Sequence, residues 1–117
     1  MNYVVLKSHR TNYPNPISLV KGQSFSIGEK YKGLENWDNW YFCTTIDKND
    51  SGWVPAQFIQ WKGKEGIAME DYTAKELNVD EGEQLVGLNE LNGWIWCKRV
   101  LTLEEGWVPK ENVKLVI

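Results

Sequence analysis

At 117 residues the chain has room for one ordinary domain or two very small ones. Hydrophobic residues make up 42% and charged residues 25%, a globular balance, and no run approaches the roughly eighteen apolar residues that span a membrane. The net charge of −3, with no clustered Lys/Arg stripe, excludes nucleic acid and anionic membranes as partners and favours a cationic or neutral one.

Residues 1–9 show no basic stretch followed by a long apolar run and a small-residue cleavage site, so no secretion signal is read and a reduced, cytoplasmic location is expected. Short β-branched or aromatic runs follow at residues 3–6, 24–27, 40–45 and 52–54, separated by Gly, Asn, Asp and Pro clusters such as Asp47-Lys48-Asn49-Asp50-Ser51-Gly52, which reads as a hairpin turn. The scheme then repeats at residues 66–69, 84–88, 93–98 and 106–108, with Leu103-Glu104-Glu105-Gly106 closing the equivalent hairpin. Trp40-Tyr41-Phe42-Cys43 and Gly52-Trp53-Val54-Pro55 recur as Trp94-Ile95-Trp96-Cys97 and Gly106-Trp107-Val108-Pro109, every matched pair 54 positions apart. Repetition this regular marks a duplicated unit, with domains expected at 1–61 and 62–117 and a linker at about 60–65. Charge divides unevenly between them: six Lys/Arg against five Asp/Glu in the first, seven against eleven in the second, or +1 and −4.

Cys43 and Cys97 are repeat equivalents inside apolar strands, so each reads as a buried small side chain rather than half of a disulfide. His9 is the only histidine, which leaves no zinc site, and no cofactor is expected. Nothing pairs a nucleophile with a base and no glycine loop leads from a strand into a helix, so the chain is not read as an enzyme. His9 itself reads as a surface residue. If Cys43 and Cys97 face inward, strand alternation turns Trp40, Phe42, Trp94 and Trp96 outward. Trp53 and Trp107 precede the inward Val54 and Val108 and are expected at least partly on the surface. The core is expected to hold Val5, Ile17, Phe25, Cys43 and Val54 in the first unit, and Ala68, Leu77, Leu85, Cys97 and Val108 in the second. Five short strands in fewer than sixty residues favour a small, strongly bent barrel.

Ala68-Met69-Glu70-Asp71-Tyr72, Glu76 to Glu83, Trp94-Ile95-Trp96-Cys97 and Gly106-Trp107-Val108-Pro109 together resemble the ordered motifs of an SH3 domain. Those motifs are an ALYDY strand, an acidic RT-loop segment, a tryptophan strand and a G-[YFW]-[IV]-P ending. The first unit resembles them from Val5-Leu6 through 17–23, Trp40, 52–55 and Phe58-Ile59, with a longer n-Src loop. The resemblance implies an all-β chain of two small five-stranded SH3-like barrels in tandem, each with a short 3₁₀ turn after Gly-Trp-Val-Pro. It also implies a noncatalytic module that binds proline-rich or basic extended peptides between flat rings.

Carried over by position, the second groove holds Tyr72, Glu76, Trp94, Trp107 and Pro109, with Glu76 meeting a ligand Arg or Lys. The first holds Trp40, Trp53, Pro55 and Phe58. Both are partly degenerate: Glu70 and Asn112 replace two rings in the second, and Lys7, His9 and Pro16 replace two tyrosines and the acid in the first. The second groove, more acidic and richer in matches, is the expected binder. The alternative is a structural assembly unit, monomer or homodimer, whose exposed aromatics, Trp61 first among them, serve domain packing or self-association. A cell-wall-binding module of the bacterial SH3 type would require export.

Overall fold

A computed structural model describes residues 1–11, 15–32 and 39–116. The chain is all-β. In order come β1 (Asn2–Val5), β2 (Ser18–Leu19), β3 (Ser24–Lys30), β4 (Trp40–Thr45), β5 (Ser51–Pro55), β6 (Ile59–Lys62), β7 (Glu65–Ala68), β8 (Tyr72–Thr73), β9 (Gln84–Leu91), β10 (Trp94–Arg99), β11 (Glu105–Pro109) and β12 (Val113–Val116). Single 3₁₀ turns, Ala56–Phe58 and Lys110–Asn112, follow the two Gly-Trp-Val-Pro segments as expected. The polar β4–β5 turn is held by its own side chains: the Thr45 hydroxyl donates to Asp47 Oδ1 at 2.6 Å, and the Asn49 amide donates to the same oxygen at 3.1 Å. These bonds stabilise the charged carboxylate and hold its pKa below the usual value.

The strands form two five-stranded antiparallel sheets, ordered β5-β4-β3-β7-β6 and β11-β10-β9-β1-β12, with β2 paired to β8. The compact units cut across the sequence repeats 1–61 and 62–117. One unit is continuous, Tyr13–Lys75; the other is split, Met1–Asn12 with Glu76–Ile117. The first strand of each repeat therefore serves the other repeat: β1 lies between β9 and β12, and β7 lies between β3 and β6.

The cause is local. Residues expected to form a linker are instead two strands and a tight turn, with Trp61 opposite Gly66 and Lys62 opposite Glu65. Only Gly63 and Lys64 connect them, and Gly63 sits at φ +65°, the left-handed conformation that two-residue hairpins favour at a glycine. Two residues span about 7 Å at full extension, too little to carry the chain into a separate barrel once β6 and β7 are paired. β7 therefore stays with β6. The antiparallel pair Ser18↔Thr73 and Leu19↔Tyr72 then closes the continuous unit on itself near its own two ends.

All ten expected core residues are buried, each at 2% exposure or less. In the split unit Val5 joins Leu77, Val79, Leu85, Ile95, Cys97, Val108 and Val113 in one cluster, so a residue from the first repeat completes the core of the second. The exchange also redistributes charge. The continuous unit carries seven Lys/Arg against eight Asp/Glu and the split unit six against eight, nets of −1 and −2, so the expected −4 does not gather on one barrel.

Cys43 and Cys97 are unpaired and buried, and burial pushes both thiols up from 9.0 to about 12. The folded state thus favours the protonated thiol. This stabilisation is complete below the ordinary thiol pKa and is lost as pH rises from about 9 towards about 12, because the unfolded thiols ionise first. Denaturant titrations should show stability falling across that window, and Cys43→Ala should flatten the fall. Native thiols should resist a thiol-specific reagent at pH 8 and react fully once the chain is unfolded.

The connectivity makes a second expectation concrete. Residues 13–75 expressed alone should give a dispersed amide spectrum with cross-strand contacts between Ser24 and Ile67, which are partners in the intact chain. Residues 1–61 contain β3 to β6 without β7 and should not. Equal dispersion and protection in the two fragments would contradict this assignment of strands.

Candidate functional site

In the split unit, the chain leaving β1 pairs with the segment after Glu76: the His9 amide donates to the Val79 carbonyl at 2.9 Å and the Val79 amide donates to the His9 carbonyl at 3.0 Å. Arg10 reinforces the contact by donating to the Val79 carbonyl at 2.8 Å and pairing with Asp80. Glu76 bridges to Trp107, and the Leu77 amide donates to the Trp107 carbonyl at 3.0 Å. These two strands set His9 beside Glu76, Nε2 to Oε1 at 2.6 Å, with side chains 16% and 13% exposed. The imidazole also meets the Trp94 ring edge to face, centroids 5.6 Å apart. His9, read from sequence as a surface residue, is therefore partly buried and is the nearest partner of the acid.

Asn112 fills the tyrosine place of the ending with a different task. Its Nδ2 donates to the carbonyls of Lys7 and Ser8 at 3.2 and 3.3 Å, and its own carbonyl accepts from the amides of Leu6 and Lys7. This amide fastens the segment that leaves β1. Asn112→Ala should destabilise the split unit by about 1 kcal/mol or more, since the side chain is buried and both bonds are lost, and should leave amide exchange in β3–β5 unchanged.

In the continuous unit, β8 brings Tyr72 to the other repeat's rings. The Tyr72 hydroxyl donates to the Trp53 carbonyl at 2.8 Å, and its ring meets Phe58, at the end of the 3₁₀ turn, with centroids 5.2 Å apart and planes 88° apart. Trp53 packs in turn on Phe42 at 5.2 Å and Tyr31 at 5.3 Å. Pro55 is fully buried opposite Trp40. Pro16, at the acid's place, bridges to Ser51.

The expected groove of Tyr72, Glu76, Trp94, Trp107 and Pro109 is thus divided. Glu76, Trp94, Trp107 and Pro109 belong to the split unit, where His9 takes the aromatic place; Tyr72 belongs to the continuous unit with Trp40, Trp53, Pro55 and Phe58. Exposure also differs from expectation. Trp40, Trp107 and Tyr72 are buried at 5%, 6% and 7% and Pro109 is fully buried, while Phe58, Trp53, Phe42, Trp94 and Trp96 are half-buried. Alternation does place Trp40 and Trp107 on the face opposite the core, but neighbouring groups cover them, among them Trp96 against Trp107 at 5.3 Å. No cluster of His, Cys, Asp and Glu capable of holding a metal occurs among the described residues.

Each unit is thus a small five-stranded antiparallel sheet with a 3₁₀ turn before one of its strands, the architecture of an SH3-like barrel. A family model for the variant SH3 domain matches residues 2–61, just over half of the chain, and the chain belongs to the SH3 family. SH3 domains are in general protein-interaction modules. The matched span takes β1 from the split unit and β2 to β6 from the continuous one. No curated protein and no solved structure matches the chain.

Proposed function

We propose that the chain is a noncatalytic binding module built from two SH3-type units, and that an extended proline-rich segment lies against the half-buried Phe58 of the continuous unit, whose ring is backed by the buried Tyr72. The exchange supports this reading by giving that unit a tyrosine its own repeat lacks. A hydrogen bond to the Trp53 carbonyl fixes the Tyr72 ring, and Phe58 stands edge-on to it, so both rings are held before a ligand arrives. A preformed pair of rings suits polyproline II, which is already extended and loses little entropy on docking. The split unit is less suited to a cationic ligand than its sequence suggests, because His9 already engages Glu76 and such a ligand must displace it.

The assembly reading has less to draw on. The surplus rings largely pack on one another inside each unit, Trp53 on Phe42 and Tyr31, Trp96 on Trp107, and Tyr41 on Trp61. Among the described residues Trp61, at 47%, is the one aromatic side chain left exposed.

An NMR titration of the intact chain against a library of proline-rich and basic peptides tests the proposal. Bound proline-rich peptides should shift the amides of residues 56–58 and 70–73. Phe58→Ala should cost about 2 kcal/mol of binding free energy, as loss of a central aromatic anchor commonly does, whereas Trp94→Ala should leave the affinity unchanged. Binding that survives Phe58→Ala and is lost with Trp94→Ala would place the site in the split unit beside Glu76.

A further inference from the structure

The two first-strand slots are built to opposite sizes. In the split unit Tyr3 of β1 lies opposite Leu85 of β9, and its ring runs over Gly87. A Cβ at Gly87 would fall inside the van der Waals surface of Tyr3 Cε2, 3.0 Å from Cδ2 and 3.3 Å from Ile95 Cγ2. No side chain other than hydrogen fits there while the ring is present. In the continuous unit the corresponding position of β7 is Gly66, opposite Phe25 of β3, and the position matching Gly87 is Ile27. A Cβ on Gly66 would stand 2.9 Å from Phe25 Cζ, 2.9 Å from Ile59 Cγ2 and 3.0 Å from Ile27 Cδ1. One slot thus supplies a space and its strand fills it with a ring. The other supplies two large side chains and its strand supplies the space.

Two further contacts hold β1 in its slot. Val5, two residues after Tyr3, enters the split unit's core at 1% exposure, and β1 pairs along both sides, with β9 from Asn2 to Val4 and with β12 from Asn2 to Val5. Backbone pairing of this kind is indifferent to sequence, so discrimination falls on the side-chain positions.

We propose that the slot between β9 and β12 is a binding site for an extended segment with an aromatic side chain facing Gly87 and a β-branched residue two positions later. The chain's own β1 fills it, and in trans it accepts the β1 of a second copy. The slot between β3 and β6 rejects that segment, because Phe25 and Ile27 occupy the space its ring needs. This inference does not rest on the peptide groove proposed above.

A double-mutant cycle in the full chain tests the size rule. Gly87→Ala should raise the unfolding equilibrium constant of the split unit at least about tenfold, the cost of overpacking a filled site. In the Tyr3→Val background, where the ring is gone and the strand kept, the same change should have little effect or a favourable one. Absence of that coupling overturns the proposal. If Gly87→Ala alone does not fold, refolding of the double variant supports it and failure to refold overturns it.

The second arm adds a synthetic peptide of residues 1–11 to the Tyr3→Val chain, whose cis strand is weakened. The peptide should shift amides of β9 and β12 and leave those of β3 and β6 in place, and the same peptide carrying Tyr3→Gly should bind at least tenfold more weakly. Equal binding by the two peptides, or shifts at β3 and β6 of the same size, would show that ring size does not select the strand.

Discussion

The turn at Gly63-Lys64 decides where the other strands go. Pairing β6 with β7 across two residues fixes β7 inside the barrel that contains β3, β4 and β5. The second repeat is then left without a first strand, and the facing edges of β9 and β12 would present open rows of backbone donors and acceptors. β1 is the strand that remains, and it pairs with both. Two sequence repeats that could have folded as two successive units become instead one unit interrupted by another. The shortness of the Gly63-Lys64 turn sets the topology.

The exchange also sorts the chemistry of the two sites. Positions that look eroded within a repeat belong with residues of the other repeat. His9, standing where a tyrosine is expected, faces Glu76 rather than the ring-rich surface of its own repeat. Tyr72 joins Trp53 and Phe58, whose repeat lacks a tyrosine at that place. Asn112 replaces a ring with a clamp on residues 7 and 8, just after β1. One unit keeps Tyr72, Phe58 and Trp53 without the acid, and the other keeps the acid with an imidazole and its own tryptophans.

Strand identity and core membership were legible because both follow from local pattern. Period-two alternation and the 54-residue repeat place Cys43, Val54, Cys97 and Val108 inward in any arrangement of the barrels. Partnership was not legible from pattern, since β1 and β7 are equivalents with similar polarity and either could serve either barrel. The distinguishing signals were quieter: two residues between β6 and β7, and the reversal of large and small at Tyr3 with Gly87 against Gly66 with Ile27. Alternation turned Trp40 outward, and its place before Val108 put Trp107 at the surface, yet both are buried, because a face does not say what covers it. The His9–Glu76 contact spans 67 residues of chain and was out of reach of any local reading.

The interruption orders events in time. Pairing Asn2 with Val116 closes a loop of almost the whole chain, and the entropy cost of closing a loop grows with its length. The continuous unit needs no closure of that span, and its ends meet where Ser18 pairs with Thr73. Once it has folded, the long excursion between β1 and Glu76 behaves as a short tether, and the split unit closes at far lower cost. During synthesis β1 emerges before both of its partners, so Tyr3, Val4 and Val5 wait in the nascent chain until β9 and β12 have been made.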